Sequence, residues 1–139
     1  MTATTAAIAV LVMVQQAGVP VRSVDKGIAS QIDAARQATA RSAPDWAALW
    51  NLHAGERARP AVDFSKEMVV AVFLGSRPTA GFSMEIVGAR EEGATLTVQY
   101  RETRPQAGRI AAQVLTSPYH IVAVPQHAAV KDVKFEKID

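Results

Sequence analysis

The run MVVAVFL at residues 68–74 constrains this chain more than any other feature. β-branched, aromatic and aliphatic side chains follow one another there with no polar position, so neither face of the segment suits water. The run reads as a central strand covered on both faces. The rest of the chain must therefore supply an apolar layer on each side. With 139 residues, 49% of them apolar, it has enough material for one such domain.

One layer is visible just upstream. Ser42, Pro44 and Asp45 form a helix start, with Ser42 as the cap and Pro44 in the first turn. Trp46, Leu49, Trp50 and His53 then recur at helical spacing, and Gly55 supplies the stop, which predicts a helix near residues 43–54. Downstream, Phe82, Met84 and Ile86 alternate with polar residues, and so do Leu96, Val98 and Tyr100. With a turn at residues 91–93, they predict a hairpin. Residues 110–115, 119–124 and 130–138 are read as further strands, and Val19, Val21 and Val24 as a short first strand. Residues 28–41 are ambiguous, because their composition favours helix while their apolar spacing fits neither period. The expected fold is mostly β (α+β): an antiparallel sheet or small β-sandwich with one packed helix.

Residues 6–14, AAIAVLVMV, have the length of a signal-peptide core but lack a basic residue before them. Residues 1–18 are read as a signal remnant and residues 19–139 as the domain. That reading places the protein outside the cytoplasm, periplasmic or secreted. The competing reading, a buried first strand or helix, leaves it cytoplasmic. No stable membrane span is expected.

Composition removes several kinds of chemistry. With no cysteine there is no disulfide, thiolate metal site or thiol nucleophile. A net charge of +2 with eight aromatics, most of them in apolar segments, lacks the basic stripe of a nucleic-acid binder. No serine sits in a G-x-S-x-G elbow. His53 is assigned to helix packing, His120 to a sheet surface and His127 to a turn, and none has metal-site spacing. No cofactor and no catalytic residue are expected.

Two segments remain where function can sit. The first is GSRPTAGF, in which Arg77, Pro78, Thr79, Gly81 and Phe82 stand between two strands. Loops on rigid scaffolds carry function, and arginine with an aromatic is typical of binding hot spots. A plain β connection accounts for the same residues equally well. The second is the strand junction Ser117, Pro118, Tyr119 and His120. The arginines at 77, 90, 101, 104 and 109 gather around these turns, as a face toward an acidic partner or as a solvated rim.

Taken together, Trp46-x-x-Leu49-Trp50, Pro60-x-Val62-Asp63-Phe64-Ser65, the apolar strand ending in Gly75-Ser76-Arg77-Pro78-Thr79-x-Gly81-Phe82, and Thr116-Ser117-Pro118-Tyr119 resemble the PrcB C-terminal domain family. The likeness spans about residues 43–135, and Pro-Thr-x-Gly-(Tyr/Phe) is its most specific element. The family takes its name from a component associated with a secreted bacterial protease complex. The resemblance implies an exported, non-catalytic domain that binds or stabilises a protease or another protein, and it carries over no catalytic residue. Residues 77–82 are also similar to the N-P-T-T-G-Y loop of chagasin-type protease inhibitors, with arginine and phenylalanine at its two ends. Direct protease inhibition and small-ligand binding are the alternatives.

Overall fold

A computed structural model of the chain describes residues 18–139. The proposed signal remnant, except Gly18, lies outside them. The elements in chain order are β1 (Arg22–Gly27), β2 (Arg36–Ala40), α1 (Ala43–Ala54), β3 (Glu67–Phe73), β4 (Ser83–Glu92), β5 (Thr95–Thr103), β6 (Tyr119–Pro125) and β7 (Asp132–Ile138). Four strands form one sheet in the order β1-β6-β3-β2, and three form a second in the order β4-β5-β7. The fold is a small β-sandwich with one helix on the outer face of the larger sheet.

β3 lies inside the four-stranded sheet, between β6 and β2, and its two faces feed two cores. Met68, Val70, Val72 and Leu74 pack between the sheets with Met84, Ile86, Leu96, Val98, Val122 and Val124. Val69, Ala71 and Phe73 pack against Trp46, Leu49 and Trp50 of α1. Both faces are dry, as the uninterrupted run predicts. The helix begins and ends where the sequence places it. The Ser42 hydroxyl accepts the Asp45 amide at 3.3 Å, and Gly55 closes the helix at φ 59° by donating its amide to Asn51. The segment after the helix satisfies both indoles: Trp46 Nε1 donates to the Pro60 carbonyl at 3.0 Å and Trp50 Nε1 to that of Arg57 at 2.8 Å.

Two irregularities re-aim side chains. In β1 the register against β6 slips between Ser23 and Asp25, so Ser23 stands opposite Val122 and Asp25 opposite Ile121. In a regular strand these two residues would share a face. The bulge turns Ser23 toward the space between the sheets and Asp25 toward the helix. In β4 the slip between Ile86 and Gly88 lets both Ile86 and Ala89 face the inner core.

The structure resolves one ambiguity, corrects one expected strand and adds one parallel pairing. The ambiguous residues 28–41 contain no helix; residues 36–40 form strand β2 against β3. Residues 110–115 form no strand but an exposed loop, with Ile110 102% and Leu115 78% exposed. β7 runs parallel to β5, because β6 joins the other sheet and the chain crosses back to reach its place.

Candidate functional site

Strand register brings three loops to one end of the sandwich. Gly27 of β1 and Phe73 of β3 both pair with Tyr119 at the start of β6, and Arg36 at the start of β2 pairs with Phe73. In the second sheet Ser83 at the start of β4 pairs with Thr103 at the end of β5. The connections 28–35, 74–82 and 104–118 therefore leave from the same end, and both segments singled out in the sequence belong to it.

Backbone hydrogen bonds join these loops. The Arg77 amide donates to the Thr116 carbonyl at 2.7 Å, and the Thr116 amide donates back at 2.9 Å. The Thr116 hydroxyl donates to the Thr79 carbonyl, and the Ala80 amide to that of Ala112. Ser117 donates to the Ile28 carbonyl at 2.7 Å, and Ser76 to that of Asp33 at 2.8 Å. Two glycines permit this approach. Gly75 sits at φ +82° where a Cβ would lie 2.8 Å from the Ala35 nitrogen, and Gly81 sits at φ +93° against Pro105.

The arginine of the loop turns inward. Arg77 Nε and Nη2 donate to Glu102 Oε1 at 2.8 and 2.6 Å, and Nη1 reaches the Leu74 carbonyl at 3.1 Å. The Glu102 side chain is 2% exposed and also draws Lys137 to 3.4 Å and Arg104 to 3.6 Å. Burial works to raise the Glu102 carboxyl, but the hydrogen bonds and charges of Arg77, then Lys137, outweigh it and hold it below its ordinary value. Arg77 is thus the anchor of its loop. Its guanidinium also lies 6.0 Å from the Phe82 ring, at the edge of cation–π range.

Large apolar side chains are exposed at this end, among polar ones such as Arg104 and Arg109. Ile110, Val114 and Leu115 are 102, 56 and 78% exposed, and Ile28 on the adjoining loop is 45% exposed. Pro78 and Gly81 are exposed beside them; Thr79, Phe82 and Ser117 are half-buried. A hollow of about 420 Å³ between the two longer loops is lined by Gly81, Pro105, Ile110 and Ala112, with Arg104 and Arg109 at its margin.

The rest of the predicted second segment is inside the protein, which corrects the expectation of an exposed junction there. Pro118, Tyr119 and His120 are buried. His120 shares the inner face of β6 with Val122 and Val124, not the sheet surface, and spans the two sheets. Its Nδ1 accepts the Ile86 amide of β4 at 2.9 Å, and its Nε2 lies 2.9 Å from Ser23 Oγ. Because a backbone amide can only donate, Nδ1 is the bare nitrogen and Nε2 carries the proton. Burial, with a smaller contribution from the Lys26 charge, pushes this imidazole down to about 4.

His53 and Tyr119 meet on the other face of the larger sheet. His53 Nε2 donates to Asp25 Oδ2 at 2.9 Å, and the same oxygen accepts Tyr119 Oη at 3.0 Å and Arg57 Nη2 at 2.8 Å. Ser30 Oγ lies 2.7 Å from His53 Nδ1 and accepts the Ile32 amide at 3.0 Å. Burial lowers the His53 imidazole against the opposing pull of Asp25. Asp25 is held below its usual range because hydrogen bonds from His53 and Tyr119, with the Arg57 charge, outweigh its desolvation.

Serine, imidazole and carboxylate stand in the order of a hydrolytic relay. Here, however, His53 is 1% and Ser30 8% exposed, and the serine oxygen is already engaged by Ile32. The relay ties α1, β1, β6 and the loop after β1 together. Sequence reasoning missed Asp25, Ser30 and Arg57. Asp25 is 28 positions from His53 and 94 from Tyr119, Ser30 is 23 from His53 and Arg57 is 32 from Asp25, and no local motif marks such pairs. His127 is exposed and pairs with Glu91 at 2.7 Å. Among the described residues no group of three His, Asp or Glu side chains is placed to hold a metal, and no helix is long and apolar enough to cross a membrane.

Residues 68–125 match the family model described as PrcB C-terminal. The match runs from β3 to β6 and contains the loop 74–82 and most of the exposed apolar surface; it is narrower than the likeness over residues 43–135. No curated protein and no solved structure matches the chain.

Proposed function

From the PrcB C-terminal match over β3 to β6 as premise, we propose that this is a non-catalytic protein-interaction domain that works outside the cytoplasm. It binds or stabilises a protease or another exported protein through the loop end of the sandwich. The observation that carries this reading is the exposure of Ile110, Val114 and Leu115 on a loop tied by backbone hydrogen bonds to residues 77–80. Exposed aliphatic side chains on a braced loop are suited to burial against a partner. The loop Arg77 serves as the brace, and the apolar residues beside it form the contact.

The test is affinity capture of the tagged protein from its own host, followed by mass spectrometry, with wild type and an Ile110→Asp/Leu115→Asp variant side by side. A protease or other exported protein should be recovered with wild type and lost with the variant. Equal recovery with both would remove the loop end from the interface. Titration against papain-like proteases separates binding from inhibition: stoichiometric loss of protease activity would favour the inhibitor alternative. A small-ligand role would require a specific ligand for the hollow beside Gly81 and Ile110.

A further inference from the structure

The two long sides of the sandwich are built differently. On one side β4 lies over β6, and His120 of β6 bonds to the β4 amide of Ile86. On the other side the outermost strands are β2 and β7, and no other described element fills the seam between them. Two hollows follow one another along it. One of about 440 Å³ is lined by Arg36, Gln37, Phe73, Leu74, Tyr100 and Lys137. The next, of about 250 Å³, is lined by Gln37, Thr39, Arg41, Lys131, Val133 and Phe135.

The seam has an apolar floor and a basic rim. Tyr100, Val133 and Phe135 are half-buried side chains packed against the inner core. Arg36, Arg41 and Lys131 make no salt bridge among the described residues, whereas Arg77 and Lys137 are engaged by Glu102. Among the described residues, Asp132 is the one acid lining either hollow. The rim thus carries a surplus of unneutralised positive charge. β2 is also the last strand of its sheet, so its side away from β3 has no strand partner among the described residues. A free strand edge is a template for pairing with another extended chain.

We propose that the seam between β2 and β7 is a peptide-binding cleft that takes an extended, acidic segment of another protein by strand addition to β2. The acceptor fits by alternation. Side chains of an added strand point to opposite faces in turn, so apolar residues at every second position meet Tyr100, Val133 and Phe135. The intervening carboxylates then lie on the outer face of the sheet, where Arg36 stands, and acidic residues at the end of the segment reach Arg41 and Lys131. Backbone hydrogen bonds to an edge strand supply affinity, and the alternate side chains supply selectivity. This cleft is separate from the exposed loop 110–115, and the proposal stands or falls independently of it.

The test uses the full chain and a fluorescein-labelled peptide of alternating Glu and Val, about ten residues long to span the seam. A Lys/Val peptide of the same length is the control. Fluorescence anisotropy should show binding of the Glu/Val peptide with Kd on the order of 10 µM at low salt, weakening as salt is added. The Lys/Val peptide should not bind. An Arg36→Glu/Arg41→Glu/Lys131→Glu variant should lose at least about tenfold in affinity. It removes no salt bridge, and its thermal melt checks that it folds. Amide chemical-shift changes should concentrate at residues 35–41 and 131–137.

Absence of binding, equal binding of the two peptides, or shifts confined to residues 110–115 would overturn the proposal. So would a dimer of the wild-type chain that the triple variant dissolves, since the seam would then serve a second copy. Undiminished binding by the Ile110→Asp/Leu115→Asp variant keeps this result distinct from the fate of the loop-end reading.

Discussion

Acid should loosen this domain through His120 before it protonates the carboxylates. The imidazole sits between the sheets at about 4, against 6.5 when unfolded. Between those values the unfolded chain takes up a proton that the folded chain refuses. Stability is therefore independent of this group above about 6.5 and falls as the pH drops toward 4. Integrating the linkage gives a loss of about 2 kcal/mol by pH ~5 and about 3 kcal/mol by pH ~4. A domain of this size holds only ~5–15 kcal/mol in total.

The structural cause is local. Protonation turns Nδ1 from an acceptor into a donor aimed at the Ile86 amide, itself a donor. The Lys26 charge opposes protonation, while the charges of Glu85 and Asp25 favour it; burial dominates. Urea unfolding at a series of pH values, for wild type and His120→Gln, isolates the effect. Glutamine is neutral throughout and retains one donor and one acceptor. His53, also lowered by burial, is present in both proteins, so its share cancels in the difference. Between pH ~7.5 and ~5 the wild type should lose about 2 kcal/mol more than the variant. Parallel pH profiles for the two proteins would refute the assignment of His120 as a neutral pin between the sheets.

Other consequences follow from the same contacts. Arg77→Ala should cost about 2 kcal/mol in urea unfolding, because the buried Glu102 carboxylate would keep only its longer contacts to Lys137 and Arg104; a change below ~0.5 kcal/mol would show that Arg77 is not the anchor. Gly75→Ala should lower the melting temperature more than Gly93→Ala, since both positions have positive φ but only Gly75 faces the Ala35 backbone. Asp25→Ala should destabilise by about 2–3 kcal/mol, measured the same way, because it strands the His53 ring N–H and the Tyr119 hydroxyl. In contrast, Ile110→Asp and Leu115→Asp should leave the melt within ~0.5 kcal/mol of wild type, as surface changes do.

Much of the fold was legible because its signals are local. The unbroken run at 68–74 demanded two covering layers, and the helix carries its own cap, stripe and stop between Ser42 and Gly55. β2 was not legible, because its residues, RQATA, have helical composition and become a strand by pairing with β3. His120 was misplaced for a related reason. Its strand is covered on both faces, so alternation with Tyr119 does not separate inside from outside. For Ile110, Val114 and Leu115 an apolar composition suggested a strand, but no neighbouring strand is there to pair with. Of the site, the meeting of residues 77–82 with the segment before Ser117 left no sequence signal, because it rests on backbone hydrogen bonds between distant loops. The inward turn of Arg77 depends on Glu102, 25 positions away, and left no mark in either segment.

The most direct test of the loop end as the contact surface is site-specific photo-crosslinking in the native host. A photoreactive amino acid replaces Leu115 in one strain and Ala94, in the β4–β5 turn at the opposite end, in another. A discrete crosslinked band containing an exported protein or protease component, from position 115 and not from 94, is the predicted result. Crosslinks from position 94 alone, or equal yields from the two, would contradict it.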